Sequence, residues 1–175
     1  DWWYGGTGGY GVDPWLLAQA VVWQKKICEV SLGSKIGPPA LSKRAYVFKQ
    51  VARSLFDCIK ANEDYWLRSQ LILKQPDVYG LEARDRAPAF SCHLEDLVAS
   101  FAQGFDQYSS LLAHVLPEKG FEAVEKAAAQ AGLDLTFSDR LWTTAVYYFL
   151  QTYAFDGTIK AEDIFEGLRI VYDGR

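Results

Sequence analysis

Gly9-Tyr10-Gly11-Val12-Asp13-Pro14-Trp15 runs a compact glycine turn into an Asp-Pro pair and then into an apolar helical pattern. The Asp-Pro pair predicts a helix start. Asp13 suits the N-cap, where its carboxylate accepts from unpaired N–H groups of the first turn, and Pro14 suits the first helical position. Glycines at 5, 6, 8, 9 and 11 permit positive φ and close approach of a ligand to the backbone. Trp2, Trp3, Tyr4 and Tyr10 supply flat faces of the kind that hold a sugar or a base. Two roles therefore stand open for this stretch: a structural turn with its cap, or a ligand site built on them.

Gly6-Thr7-Gly8-Gly9-Tyr10-Gly11 also spells the G-x-G-x-x-G of dinucleotide-binding folds, with Glu29 downstream where the ribose-binding acid stands. That reading fails on context. The fingerprint needs a strand just before it, and only Asp1 to Tyr4 precede; Asp13 puts negative charge where a pyrophosphate sits.

Working outward, residues 13 to 26 place Leu16, Leu17, Ala20 and Val21 on one helical face, closed by Gln24, Lys25 and Lys26. Ile27 to Leu32 alternates as a strand stopped by Gly33, the one convincing strand of the chain, and Gly37-Pro38-Pro39 is a connector. From Ser42 to Leu73, Phe48, Val51, Ala52, Leu55, Ile59 and Trp66 recur at helical spacing, predicting one long helix or two joined near Asn62. Gln75 to Ala89, with Pro76, Gly80, Pro88 and a charged stretch, reads as a loop. His93 to Leu116 carries a stripe of Leu94, Leu97, Val98, Phe101, Phe105, Tyr108, Leu112 and Val115, ended by Pro117. Three further helices are expected over 121–131, 138–153 and 160–171. The expectation is a mainly α chain, all helix after residue 40, with an antiparallel bundle as its larger part.

At 175 residues and 50% apolar content the chain can bury a sizeable core. Its net charge of −4 and lack of basic runs argue against a nucleic-acid partner. No apolar run reaches membrane-spanning length, so no transmembrane segment is expected. Cys28, Cys58 and Cys92 form neither a complete disulfide framework nor a zinc spacing, and a reduced cytoplasmic location is expected. The absence of any Met predicts a processed or excised segment of a longer protein. His93 and His114 lie 21 positions apart on one helix, about 30 Å at 1.5 Å per residue, too far to share a metal. No nucleophile elbow, P-loop or His-Glu-x-x-His occurs.

The order Gly9-Tyr10-Gly11-Val12-Asp13, Leu16-Leu17, then Glu29-Val30-Ser31-Leu32-Gly33 resembles the late catalytic domain of GT-A nucleotide-sugar glycosyltransferases. The likeness is to retaining enzymes similar to mannosylglycerate synthase and glucosyl-3-phosphoglycerate synthase. There a glycine-aromatic-glycine loop and a following acid border donor sugar and acceptor. Leu141-Trp142, Val146-Tyr147 and Leu168 to Arg175 are similar to the helical C-terminal extension of such enzymes. The resemblance covers the first and last thirty-five residues or so; the middle agrees only in being helical.

This resemblance implies that residues 1–40 form the C-terminal edge of a GT-A α/β domain (loop, one helix, one strand) and 41–175 a helical C-terminal domain. It implies Asp13 as catalytic residue and Gly9, Tyr10, Gly11 and Val12 as substrate-binding residues, with Lys35 supplying charge near the diphosphate. The implied reaction is glycosyl transfer to a small or polyol-like acceptor, by a complete enzyme of which this piece is inactive alone. A divalent metal, Mg or Mn, is implied for that enzyme, but the Asp-x-Asp that holds it and the His expected soon after Leu32-Gly33 are absent here. Homo-oligomers are expected. The alternative is a non-catalytic helical module for oligomerisation or protein interaction, which the aromatic-rich helices also suit.

Overall fold

A computed structural model describes residues 9–31, 43–68, 76–80, 94–130 and 137–174. The chain divides into two compact units, Asp1–Ser91 and Cys92–Arg175. The sequence expectation sets the division at residue 40, with everything after it in the helical part. Within the first unit, the helix that follows residue 43 packs on the first one.

In the first unit a 3-10 turn, Gly9–Gly11, leads straight into α1, Val12–Val22. Trp23 is its C-cap, and Gln24 takes the left-handed conformation at φ 53°. The Lys25 amide then donates to the Ala20 carbonyl and that of Gln24 to Val21, the paired bonds of a Schellman motif. This stops α1 short of the expected residue 26. Strand β1, Cys28–Ser31, follows, then α2, Arg44–Ala61, and α3, Glu63–Arg68. The break between those helices falls at Asn62, as expected, whose side-chain amide donates to the Cys58 carbonyl at 2.8 Å.

Strand β2, Asp77–Gly80, lies where the sequence reads as loop, so the chain is not all helix after residue 40. It pairs in parallel with β1 in the register Cys28↔Asp77, Glu29↔Val78, Val30↔Tyr79 and Ser31↔Gly80. Parallel pairing needs a crossover, which α2 and α3 supply between the strands. The unit thus alternates α1, β1, α2, α3, β2. Gly80 sits at φ +104°, where a Cβ would stand 2.5 Å from the Ser31 carbonyl oxygen; only glycine ends the ladder there.

The face expected to be buried on α1 is not the one that is. Ala18 is buried, whereas Leu16 and Leu17 are 53% and 56% exposed. Gly11 and Ala18, seven positions apart and thus on one side of the rod, are the buried residues of the turn and α1. The close packing uses small side chains and leaves the leucines outside.

The second unit holds α4, Leu94–Val115, α5, Glu118–Ala129, α6, Asp139–Phe155, and α7, Ala161–Asp173. Ser138 caps α6, its Oγ accepting from the Leu141 amide at 3.2 Å. Phe101, Phe105, Leu112 and Val115 of the predicted α4 stripe are buried. Helix α7 is central: Ile164, Phe165, Leu168, Ile170 and Val171 are buried, each contributing about 1.5–3 kcal/mol by leaving water. Gly174 lies against Phe101, Ile170 against Gly104 and Gly167 against Leu111, so α7 runs antiparallel to α4. Tyr153–Phe165 and Trp142–Tyr172 ring contacts make it antiparallel to α6 as well. This is the helical bundle expected for the C-terminal part.

Candidate functional site

The glycine turn is held by one polar stripe of α2. Tyr46, Gln50, Ser54 and Cys58 are spaced by four residues, which puts them on one side of the helix. Gln50 Oε1 accepts from the Tyr10 amide at 3.2 Å, and Gln50 Nε2 donates to the Tyr46 hydroxyl at 2.7 Å. The buried Ser54 hydroxyl donates to the Gly11 carbonyl at 2.6 Å. Further along, Gln19 Nε2 donates to Cys58 Sγ at 3.2 Å, and Tyr65 Oη donates to the Val21 carbonyl at 2.9 Å. Partner numbers rise together on both segments, so α1 and α2 run in the same direction.

Each residue of the expected site can now be placed. Gly9 has φ +68°, and a Cβ there would lie 3.0 Å from Gln50 Oε1, so the turn needs glycine for its backbone and for its neighbour. Gly9 and Tyr10 are exposed, Gly11 is buried and Val12 is half-buried. Asp13 is exposed but is not the helix cap. The helix begins one residue before it, and Gly11, which has no side chain to cap with, is the N-cap. Asp13 and Pro14 thus occupy the second and third helical positions; proline is tolerated because the first four amides have no helical acceptor. Lys35, with Trp2, Trp3 and Tyr4, lies outside the described residues.

Gly9 to Asp13 thus form one segment, anchored on α2 by Gln50 and Ser54 with Tyr46 bonded to Gln50, three residues that the apolar spacing of α2 does not single out. Their four-residue spacing is the signal, but α2 also carries Arg44, Lys49, Arg53, Asp57 and Lys60, so the stripe does not stand out from its other polar positions.

Cys58 is buried, and burial pushes its thiol up from 9.0, against the opposing hydrogen bonds from Gln19 and Asn62. A thiol held protonated is a poor nucleophile, and its place is structural. In the second unit, His114 Nε2 lies 2.9 Å from Asp156 Oδ2. Asp156 Oδ1 accepts from the Thr158 hydroxyl at 2.5 Å and its amide at 2.9 Å. The Thr158 hydroxyl first, then His114, lower the Asp156 pKa to about 2. On α7, Arg169 bridges Glu166 at 2.7 Å and also pairs with Asp173. The first links α4 to the C-terminal end of α6, and the second lies within α7.

Among the described residues no three His, Cys, Asp or Glu side chains come together. The metal implied by the resemblance finds no ligand set in them. Among the described residues no helix is long and apolar enough to cross a membrane. Comparison with protein-family models, curated proteins and solved structures gives no match to this chain.

Proposed function

We propose that this chain is the C-terminal portion of a cytoplasmic, nucleotide-sugar-dependent glycosyltransferase of the GT-A type. The Gly9–Asp13 segment borders the sugar and a small, polyol-like acceptor. The observation that carries the reading is the β1–β2 ladder. Parallel strands are stable where both faces are covered and several strands pair, and two strands alone are marginal. Here Cys28, Glu29, Val30 and Asp77–Gly80 are all exposed. With Leu16 and Leu17 uncovered as well, the described α–β–α–β unit presents the kind of surface that the edge of a larger α/β sheet would bury, which supports the reading. The resemblance supplies that domain, with the nucleotide and the metal bound in it.

In this account the rigid glycine turn presents backbone at the sugar without side-chain obstruction, and Asp13 orients a hydroxyl or stabilises positive charge developing at the sugar carbon. Asp13 is exposed and lies inside the helix rather than at its N-cap. Asp13→Asn in the complete enzyme is therefore expected to lower turnover severely while leaving the melting temperature nearly unchanged. Near-normal turnover in that variant would remove Asp13 from the chemistry.

A second reading rests on a different observation. Tyr147, Tyr148 and Phe155 of α6 are 66%, 38% and 66% exposed. An aromatic helix surface of this kind also suits a non-catalytic module for self-association or partner binding.

A further inference from the structure

The hydrogen-bond chain through Gln50 has a direction, and that direction gives Tyr46 a task. A backbone N–H can only donate, so the Tyr10 amide obliges Gln50 to turn its carbonyl oxygen toward the loop and its NH2 toward Tyr46. The Tyr46 oxygen then accepts from Gln50, and its own proton points elsewhere. Tyr46 is 57% exposed and Tyr10 is 45% exposed, both anchored to the same amide side chain. Successive bonds of one sense polarise one another, which makes the terminal O–H a better donor.

We propose that Tyr46 is a ligand-contact residue of the same surface as the glycine turn. Its hydroxyl donates to a hydroxyl oxygen of a neutral sugar, and Gln50 is the positioning residue that fixes both the turn and the sense of that bond. The proposal rests on the glycosyltransferase reading of the Gly9–Asp13 segment and adds residues from α2 to it. A neutral sugar fits better than a phosphate, because the exposed Asp13 carboxylate stands three residues from Tyr10.

The test uses the 175-residue chain, with D-glucose and its monodeoxy and monofluoro analogues as probes. Affinity is read by NMR at the backbone amides of residues 10–13 and at the Tyr46 ring. Fluorine accepts a hydrogen bond weakly but has no proton to give, whereas a deoxy position does neither. At one ring position the fluoro sugar should bind more tightly than the deoxy sugar. Tyr46→Phe should abolish that difference and weaken glucose by roughly two- to tenfold, the loss of one hydrogen bond. Gln50→Glu keeps an acceptor for the Tyr10 amide but draws the Tyr46 proton inward. It should leave the Tyr10 amide shift in place and remove the fluoro sugar's advantage. If glucose shifts the amides of residues 10–13 with equal affinity in the native chain and in Tyr46→Phe, the proposal is overturned while the sugar-binding reading of the turn stands. If glucose shifts neither the turn nor Tyr46, both are overturned.

Discussion

Asp13 shows how one misplaced residue changes the energetics expected of it. As an N-cap, its replacement by alanine would cost roughly 0.5–2 kcal/mol. As an exposed second residue of the helix it retains only its favourable interaction with the positive helix end, about 0.3–1 kcal/mol. The small stability effect of Asp13→Asn follows from this placement, and any large loss of turnover must then come from chemistry. Asp156 behaves in the opposite way, since its partners are explicit. Its pKa is lowered from 3.8 to about 2, so it contributes stability that is fully present above its unfolded value. That contribution is lost as pH falls from about 4 toward 2. Thermal melts across this range should show a steeper acid loss for the native chain than for Asp156→Asn, in which nothing titrates at this position. Equal slopes would show that the Thr158 and His114 bonds add nothing.

At the scale of elements, the long periodic helices were legible and the short or unusual ones were not. Phe101, Phe105, Leu112 and Val115 lie in the core where their spacing predicts, because a helix of 22 residues averages out local exceptions. Strand β2 is not legible locally: Asp77, Val78, Tyr79 and Gly80 hold only two strand-forming residues, and the pairing partner lies more than forty residues away. Helix α1 is legible but its buried face is not, because the apolar pattern points to Leu16 and Leu17 while the packed side carries the small residues Gly11 and Ala18. The glycine-aromatic-glycine turn was read directly, yet its clamp was not, since Gln50 and Ser54 look like ordinary surface residues until α2 is set beside it. Small residues decide the α4–α7 contact too. A Cβ on Gly104 would stand 2.7 Å from Cγ1 of the fully buried Ile170. Overpacking of about 1–3 kcal/mol outweighs alanine's helix preference of about 1 kcal/mol. Gly104→Ala should lower stability in chemical denaturation by up to about 2 kcal/mol, whereas Gly157→Ala, which meets nothing within 4 Å, should leave it unchanged.

For the molecule as a whole, the pattern of exposure matters more than any one contact. Leu16, Leu17, Trp23, Val30, Val78 and Tyr79 are exposed in the first unit, and Tyr147 and Phe155 in the second. Apolar surface of this extent favours association. Sedimentation of the 175-residue chain should accordingly show homo-oligomers that grow with concentration; a concentration-independent monomer would remove both this expectation and the self-association reading. On the glycosyltransferase proposal, the exposed β1–β2 ladder completes the sheet of a larger α/β domain. The most direct test is nucleotide-sugar turnover, measured for the chain alone and for the same chain joined to the segment encoded immediately upstream. The account predicts no turnover by the chain alone and metal-dependent transfer by the joined protein, with the amides of residues 28–31 and 77–80 gaining protection from hydrogen exchange. Turnover by the chain alone, or a joined protein in which those amides stay unprotected and no sugar is transferred, would contradict it.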